Sequence, residues 1–354
     1  SRNATAVEEG DWVEVHPYVA TEFTGYDSSV EEGVKLLKYR TVKSKNKESV
    51  QLVFDRSPFY AESGGQVGDC GWIEFASGEK IEILNTIKEN GLPVHIATAV
   101  PSEPATLFTA RINVERRQSV TNNHTATHLV DYALRTVLGT HVEQKGSMVT
   151  PQGLRFDFSH FQKVTAEEIR EVERLVNKLV RTNYPLVENR EATMAEAEAA
   201  GAIMLFGEKY GDKVRIVNFG PSTELCGGTH TSATGTIGMF KIVSESAISA
   251  GVRRIEAVTG EIAENMIYSA QDMISSLEQL VHNPKLVQAI EKMLENNDSL
   301  SREIEEMRKE KVASLAEHIA TTTQPKDGIM LISRTTMFQS EVMKDLAFAL
   351  RQKV

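Results

Sequence analysis

The sequence predicts an α+β protein. An N-terminal β-barrel spans residues 1–110, a mixed helix–strand core 111–259, a helical segment 260–319 and the start of a truncated further domain 320–354. Three observations carry this reading. Short β-like runs, separated by turn residues, fill the first third. Amphipathic helices then alternate with an uneven set of strands, as in segregated α+β folds. Finally, apolar residues recur at separations of four and three over a charged stretch, a helical seam.

Residues 1–30 read as strands and loops, with Val13 and Val15 alternating against Trp12, Glu14 and His16 and a turn at Gly25-Tyr26-Asp27-Ser28. Runs follow at 34–42, 49–54, 72–75, 80–84, 94–100 and 107–112. Their close spacing and the Gly, Pro and Asn turns between them favour a small barrel or a highly bent sheet over βαβ units.

The pattern changes near residue 115. Residues 119–139 place Leu129, Ala133, Val137 and Leu138 at helical spacing. A second helix opens at Thr165, followed three residues later by Glu168, the pairing of a capping box. Ile169, Val172, Leu175, Val176 and Leu179 supply its apolar stripe. A third helix is expected over 192–200, and strands over 214–219, 238–243 and 253–258.

Beyond residue 260, Leu286, Ile290, Met293, Leu300, Ile304 and Met307 form the seam, with Asn297 at one seam position and a break expected at Asn283-Pro284. Such a stripe predicts packing against another helix, within the chain or in a homo-oligomer. A strand over 328–333 and an amphipathic helix bearing Val342, Met343, Leu346 and Leu350 complete the chain.

Composition narrows the function classes. With 354 residues the chain is too long for one ordinary core. A formal charge of −10 argues against a broadly basic nucleic-acid surface, although a local basic groove remains compatible with it. The two cysteines, Cys70 and Cys226, make no disulfide framework. No apolar run approaches the ~20 residues of a spanning helix and the opening residues lack a secretion-signal layout, so a cytoplasmic protein without membrane contact is expected.

Chemistry concentrates in two short motifs. His124 and His128 lie at i and i+4 in NHTATH, which puts both imidazoles on one helix face. Cys226 and His230 lie in CGGTH, where two glycines permit a tight path around a ligand cluster. Together these are four zinc-compatible donors. Nearly a hundred residues separate the two pairs, so a metal would tie together two parts of a folded core rather than a small finger. Position 125 is Thr, not the Glu of HExxH, which disfavours peptidase chemistry. A buried structural thiol, or a nucleophilic Cys226 with His230 as base, are the competing readings. His141 and His160 are candidates for the same pocket; His16, His95, His282 and His318 read as surface or packing residues.

Seven stretches, in order, carry a resemblance: FYAESGGQVGDCG at 59–71, NHTATHL at 123–129, THVEQKGSMV at 140–149, LRFDFSH at 154–160, ELCGGTH at 224–230, FKIVSE at 240–245 and GVRRIEAVTG at 251–260. The chain resembles the editing portion of alanyl-tRNA synthetases from about residue 13 to 319. It is more broadly similar to freestanding alanyl-tRNA editing proteins and distantly to the threonyl-tRNA synthetase editing domain. The resemblance implies a barrel, a zinc-containing editing core, and a helical extension leading to a domain for tRNA binding or oligomerisation. It also implies His124, His128, Cys226 and His230 as zinc ligands, Thr127 and Gln144 as catalytic-pocket residues, and a glycine-rich 59–71 segment near the substrate. One departure is Thr236 in TGTIG, where the family often has an acidic residue.

The reaction so implied is hydrolysis of seryl or glycyl esters on tRNA(Ala). One methylene or hydroxyl gives a synthetic site limited discrimination, and a second hydrolytic site adds another selection. ATP and Mg2+ would serve only the family's aminoacylation region, which the resemblance does not cover, so the chain itself is not expected to ligate. Lys145 and Arg155 are candidates for phosphate contact or for exposed salt bridges. The alternative is a non-catalytic fragment that binds tRNA and oligomerises around a structural zinc.

Overall fold

A computed structural model describes residues 8–44, 47–204, 211–324, 332–333 and 340–353. The chain divides into two compact units, Ser1–Ile267 and Tyr268–Val354.

The first unit begins with an antiparallel sheet. Its strands run in the order Glu8–Glu9, Leu36–Ser44, Lys47–Phe54, Leu92–Ala97, Lys80–Glu89, Gly71–Phe75, Phe108–Ile112 and Val30–Val34, with Val13–Glu14 also pairing onto Leu36–Ser44. Alternation sorts the side chains: Leu36, Leu52 and Phe54 enter one apolar cluster, whereas Leu37 and Val53 enter another. The expected barrel is corrected here. Among the described residues no ladder joins the terminal strands, and the sheet is open. Closure needs two edges that pair along their length, but among the described residues one edge runs only over Glu8–Glu9. The other is five residues long, carries Gly33 at φ +66°, and meets its neighbour through a register shift between Phe108 and Ala110. The spacing of strands in the sequence reports their number, not whether the first and last meet.

Within this sheet His95 is fully buried, stacked on Phe54 with ring centroids 3.9 Å apart. Its Nδ1 faces the Leu52 carbonyl at 3.1 Å, an acceptor, so Nδ1 carries the proton and Nε2 accepts from the Ser57 hydroxyl at 2.7 Å. It is a satisfied packing residue.

Helix α1 (Val114–Leu138) starts where Asn113 Oδ1 accepts the Arg116 amide at 2.9 Å. It is buried on nearly every side from Val120 to Leu134, because α2 (Ala166–Thr182) and a four-stranded antiparallel sheet both pack on it. That sheet orders Gln144–Thr150, Gly153–Ser159, Val252–Thr259 and Phe240–Ser249. Leu129, Ala133, Phe156, Phe158, Val176 and Phe240 form the shared core. The predicted capping box opens α2: the Thr165 hydroxyl accepts the Glu168 amide and the Glu168 carboxylate accepts the Thr165 amide at 2.7 Å. A second box, Thr193 with Glu196, opens the short α3 (Met194–Ala199). A smaller sheet, Val187–Ala192, Val214–Phe219 and Ser222–Leu225, leads directly to Cys226. Four of these strands, 144–150, 153–159, 187–192 and 222–225, are additional to those the sequence predicts: in 144–150, 187–192 and 222–225 polar residues break the apolar alternation, whereas Leu154, Phe156 and Phe158 of 153–159 do alternate with polar residues and mark a strand.

The boundary between the units falls inside α4 (Gly260–Val281). The expected break follows, and α5 (Leu286–Thr322) begins after Lys285. In the second unit α6 (Ser340–Arg351) packs Leu346 against Val312 and Ala316 near the end of α5. The seam predicted to pack does not do so among the described residues: Ile290 is 39% and Ile304 59% exposed. Residues 328–331 of the expected final strand lie outside the described residues, and 332–333 carry no strand. No described helix is long and apolar enough to cross a membrane.

Candidate metal centre

Helix α1 holds His124 and His128 one turn apart, ring centroids separated by 5.4 Å. The strand Ser222–Leu225 delivers Cys226, and the Gly227-Gly228 turn brings His230 back over both rings, 4.4 Å from His124 and 4.5 Å from His128. One ligand atom from each of the four residues lies within 4.8 Å of all the others. Cys226 Sγ is 3.4 Å from His124 Nε2 and 3.3 Å from His230 Nε2. Only one of the two glycines is required for space. A Cβ on Gly228 would lie 2.0 Å from His124 Cε1, whereas one on Gly227 meets nothing within 4 Å.

A second layer holds the imidazoles. His124 Nδ1 lies 2.7 Å from Gln66 Oε1, and His230 Nδ1 lies 3.1 Å from the Thr125 hydroxyl. His128 Nε2 lies 3.5 Å from Glu224, and its Nδ1 is buried with no hydrogen-bond partner among the described residues. Burial, helped by the Arg215 charge, pushes His124 down to about 3; burial also drives His128 and His230 far below the ordinary histidine range, these two helped by their imidazole neighbours and Arg215. The rings are therefore neutral near pH 7, the form that binds metal. Burial also pushes Asp131 up to about 6 and Glu224 well above the carboxylate range, with the Asp131 charge adding to the latter.

Four converging nitrogen and sulfur donors, one of their rings carrying an orphaned buried nitrogen, are costly without a partner and suit a cation that takes such ligands. The residues present fit a bound metal.

The Cys226 loop is braced from outside. Arg215 Nη1 donates to the carbonyls of Cys226 at 3.1 Å and Gly228 at 2.5 Å, and its guanidinium lies 4.2 Å over the Tyr26 ring. Tyr26 in turn donates its hydroxyl to the Gly227 carbonyl at 2.6 Å.

The donors open onto a cavity of about 470 Å³, whose lining includes Tyr60, Thr127, Gln144, Ser147 and Arg215. Thr127 Oγ1 donates to the Asn123 carbonyl at 2.8 Å, which commits its proton and leaves its oxygen to accept. Gln144 Nε2 donates to Ser147 Oγ at 3.1 Å. His141 and His160 do not line this cavity; they face each other at 2.9 Å. Lys145 pairs with Glu143 at 2.8 Å and Arg155 with Asp157 at 3.8 Å, so both make the local salt bridges that competed with phosphate contact. Sequence reasoning missed Gln66, Thr125 and Glu224, although each sits inside a quoted motif. It also missed Arg215 and Tyr26, which carry no local signal.

The chain was compared with known proteins. It is 51% identical over 352 residues to alanine–tRNA ligase of Parabacteroides distasonis and 51% identical over 355 residues to that of Bacteroides thetaiotaomicron. These alignments take in 99% and 100% of the chain. The chain is a homologue of bacterial alanine–tRNA ligases. The ligase of Cytophaga hutchinsonii is 44% identical, again over 100% of the chain. The chain spans about 40% of the length of these relatives. Residues 214–256 match the family described as the threonyl and alanyl tRNA synthetase second additional domain. Residues 2–116 match the class II (A) tRNA synthetases. The first of these matches contains Arg215, Glu224, Cys226 and His230, the half of the centre that α1 does not supply.

Proposed function

We propose that this region hydrolyses the ester of mischarged seryl- or glycyl-tRNA(Ala), using a zinc ion held by His124, His128, Cys226 and His230. The observation that carries the reading is the convergence of these four donors, three of them (His124, His128 and Cys226) lining a cavity that Thr127 and Gln144 also line. A zinc ion bound there supplies Lewis acidity for positioning and polarising an oxygen. The chain's own residues do the rest. Thr127 Oγ1, its proton already given to the Asn123 carbonyl, is an acceptor for the seryl hydroxyl or the substrate ammonium. Gln144, restrained by Ser147, offers a carboxamide that both donates and accepts. A site built to pair a substrate hydroxyl discriminates against a substrate lacking it far better than an apolar pocket discriminates by size. Alanine lacks that hydroxyl, and so does glycine, so this pairing accounts for the seryl ester alone. The ester is cleaved by one positioned water to give free amino acid and tRNA.

In this reading the relatives' ligation of alanine, with ATP and Mg2+, belongs to regions outside these residues. The open sheet, the metal core, the helical segment and the C-terminal stretch are four modules of one editing region. The test is deacylation of purified seryl-, glycyl- and alanyl-tRNA(Ala) by this chain, with zinc measured on the same preparation. Near-stoichiometric zinc with faster loss of seryl or glycyl than of alanyl ester is expected. Zinc-loaded protein that leaves all three esters at the rate of buffer would overturn the hydrolytic reading and favour a structural metal.

A further inference from the structure

Gln66 belongs to the glycine-rich segment of the N-terminal sheet region, far in sequence from every metal-binding residue, yet its carboxamide is entirely taken up at the metal centre. Its Oε1 accepts the Thr229 backbone amide at 2.9 Å, and its Nε2 donates to the Thr229 hydroxyl at 2.8 Å. A backbone N–H can only donate, so this pairing fixes which end of the carboxamide is oxygen. The same Oε1 lies 2.7 Å from His124 Nδ1, so that nitrogen must carry the proton. The lone pair of His124 then resides on Nε2, the atom 3.4 Å from Cys226 Sγ. One side chain thereby sets the tautomer of a helix ligand and ties it to the loop between Cys226 and His230.

The segment is held in place to do this. Val149 donates its amide to the Gly65 carbonyl at 2.7 Å and Val67 donates to the Val149 carbonyl at 3.1 Å, stitching 65–67 onto the edge of the core sheet. A Cβ on Gly65 would fall 2.4 Å from the Ser147 carbonyl oxygen, so this approach needs glycine. Three residues on, Asp69 forms a buried ion pair with Arg117, two turns before His124 on α1. Gln66 itself is fully buried and is absent from the cavity lining, which separates its role from contact with substrate.

We propose that Gln66 is a positioning residue of the metal centre, presenting His124 Nε2 to the ion, and that the N-terminal sheet is thereby part of that centre rather than an independent neighbour. The proposal rests on the metal-binding half of the reading above and not on the hydrolysis. Outer partners of this kind typically set metal affinity by ~10–100-fold.

The test uses the whole chain and two substitutions. Gln66→Met keeps the length and removes the acceptor; Gln66→Glu keeps an acceptor for His124, and the Thr229 hydroxyl can turn to donate to it. Zinc affinity is measured by chelator competition and ligand geometry by the visible spectrum of the cobalt(II)-loaded protein. Gln66→Met should bind zinc ~10–100-fold more weakly and shift the cobalt d–d bands while keeping the thiolate charge-transfer band of Cys226. Gln66→Glu should stay within a few-fold of the parent (about 1 kcal/mol). Parent affinity with an unaltered cobalt spectrum in Gln66→Met would overturn the proposal, as would equal weakening in both variants, which would mean that shape and not the acceptor matters. Should Gln66→Met fail to fold, Gln66→Glu decides alone: near-parent binding supports the proposal and lost binding sinks it. A parent chain that binds no metal would instead remove the metal-centre reading on which the proposal stands.

Discussion

Between His124 and His230 the protein buries groups that water would hold; between Leu286 and Met307 it leaves in water groups that burial would favour. The first region puts three imidazoles and a thiol together, two of the imidazoles buried and the other two groups partly so, with one imidazole nitrogen unpaired among the described residues. The second leaves Ile290, Met293, Leu300, Ile304 and Met307 accessible along α5. An exposed apolar residue is commonplace, since much of any protein surface is apolar. A buried unsatisfied polar group is rare and asks for an explanation. The two regions therefore carry different weight. The polar deficit in the core identifies a kind of ligand, because donor type and spacing restrict what can fill it. The apolar stripe on α5 identifies no partner, because area without shape or charge fits many surfaces.

The largest effect should come from the one sulfur among the four converging donors. Cys226→Ser keeps size and polarity but gives zinc a much poorer ligand. Loss of metal affinity should exceed the ~10–100-fold typical of an outer-layer partner. Hydrolysis should fall with metal content, and no aminoacyl thioester should be trapped in the parent chain. Retained zinc with lost hydrolysis and a trapped thioester would make Cys226 a nucleophile. Full zinc and normal hydrolysis in the variant would remove it from the site altogether. Unfolding of the 268–354 unit should be the same with and without the substitution, which is the sharper half of the comparison.

The sequence made the cluster of His124, His128, Cys226 and His230 legible because helical spacing places His124 beside His128, and the Cys-x-x-x-His loop repeats that reach in another element. It also marked α2 through its capping box, where chemistry is local. What it hid was whatever depends on long-range closure. Whether strand 30–34 meets another edge is decided by ladders and register shifts, not by residue type at either end. Gln66 was concealed for a related reason. A Gln between Gly65 and Val67 reads as loop, and only the fold brings it within 2.7 Å of a histidine 58 positions away. The polar strand 144–150 was quoted as a motif without being recognised as a strand. Val149 is its one buried residue, hydrogen-bonded to the glycine-rich segment, and alternation shows only where one face meets a continuous core. The seam of α5 shows the opposite error, a pattern that was legible and yet does not locate its partner.

A second difference between the regions should show in acid. His95 lies in the sheet, away from the metal ligands, and burial pushes it down to about 3 from an ordinary 6.5. The unfolded chain therefore takes up a proton that the folded one refuses, so stability is complete above about pH 6.5 and falls as the pH drops towards 3. One such group contributes a slope of about 1.4 kcal/mol per pH unit across that window. His95→Gln removes the titration. It should be less stable at neutral pH by roughly 1–3 kcal/mol, since Ser57 and Leu52 lose well-placed partners, but its stability should decline less steeply below pH 6. Denaturant unfolding at several pH values, with chelator present so that metal release does not contribute, measures both. Parallel curves for variant and parent would show that His95 is not the neutral, buried group described.

The smallest effect is expected where the apolar stripe is longest. In the second unit the buried side chains among the described residues are Val312, Ala316, Ile319 and Leu346, and Val312, Ala316 and Leu346 cluster where α6 meets the end of α5. Leu346→Ala should open that contact, at the low end of the ~2–5 kcal/mol seen for buried leucines because the cluster is small. Faster hydrogen exchange should follow in α6 and in residues 312–319 alone. Ile290→Asp combined with Ile304→Asp acts on the exposed seam instead. No packed neighbour is lost there, so unfolding at low protein concentration should change by roughly 0.5 kcal/mol or less per site. The double variant also leaves Val312, Ala316 and Leu346 untouched, so exchange in α6 should match the parent. A loss comparable to that of Leu346→Ala would mean that the seam is covered in solution. The contrast between a core that names its ligand and a helix that names no partner would then break at its weaker end, because an acidic group on a solvated face costs little and on a covered one costs much.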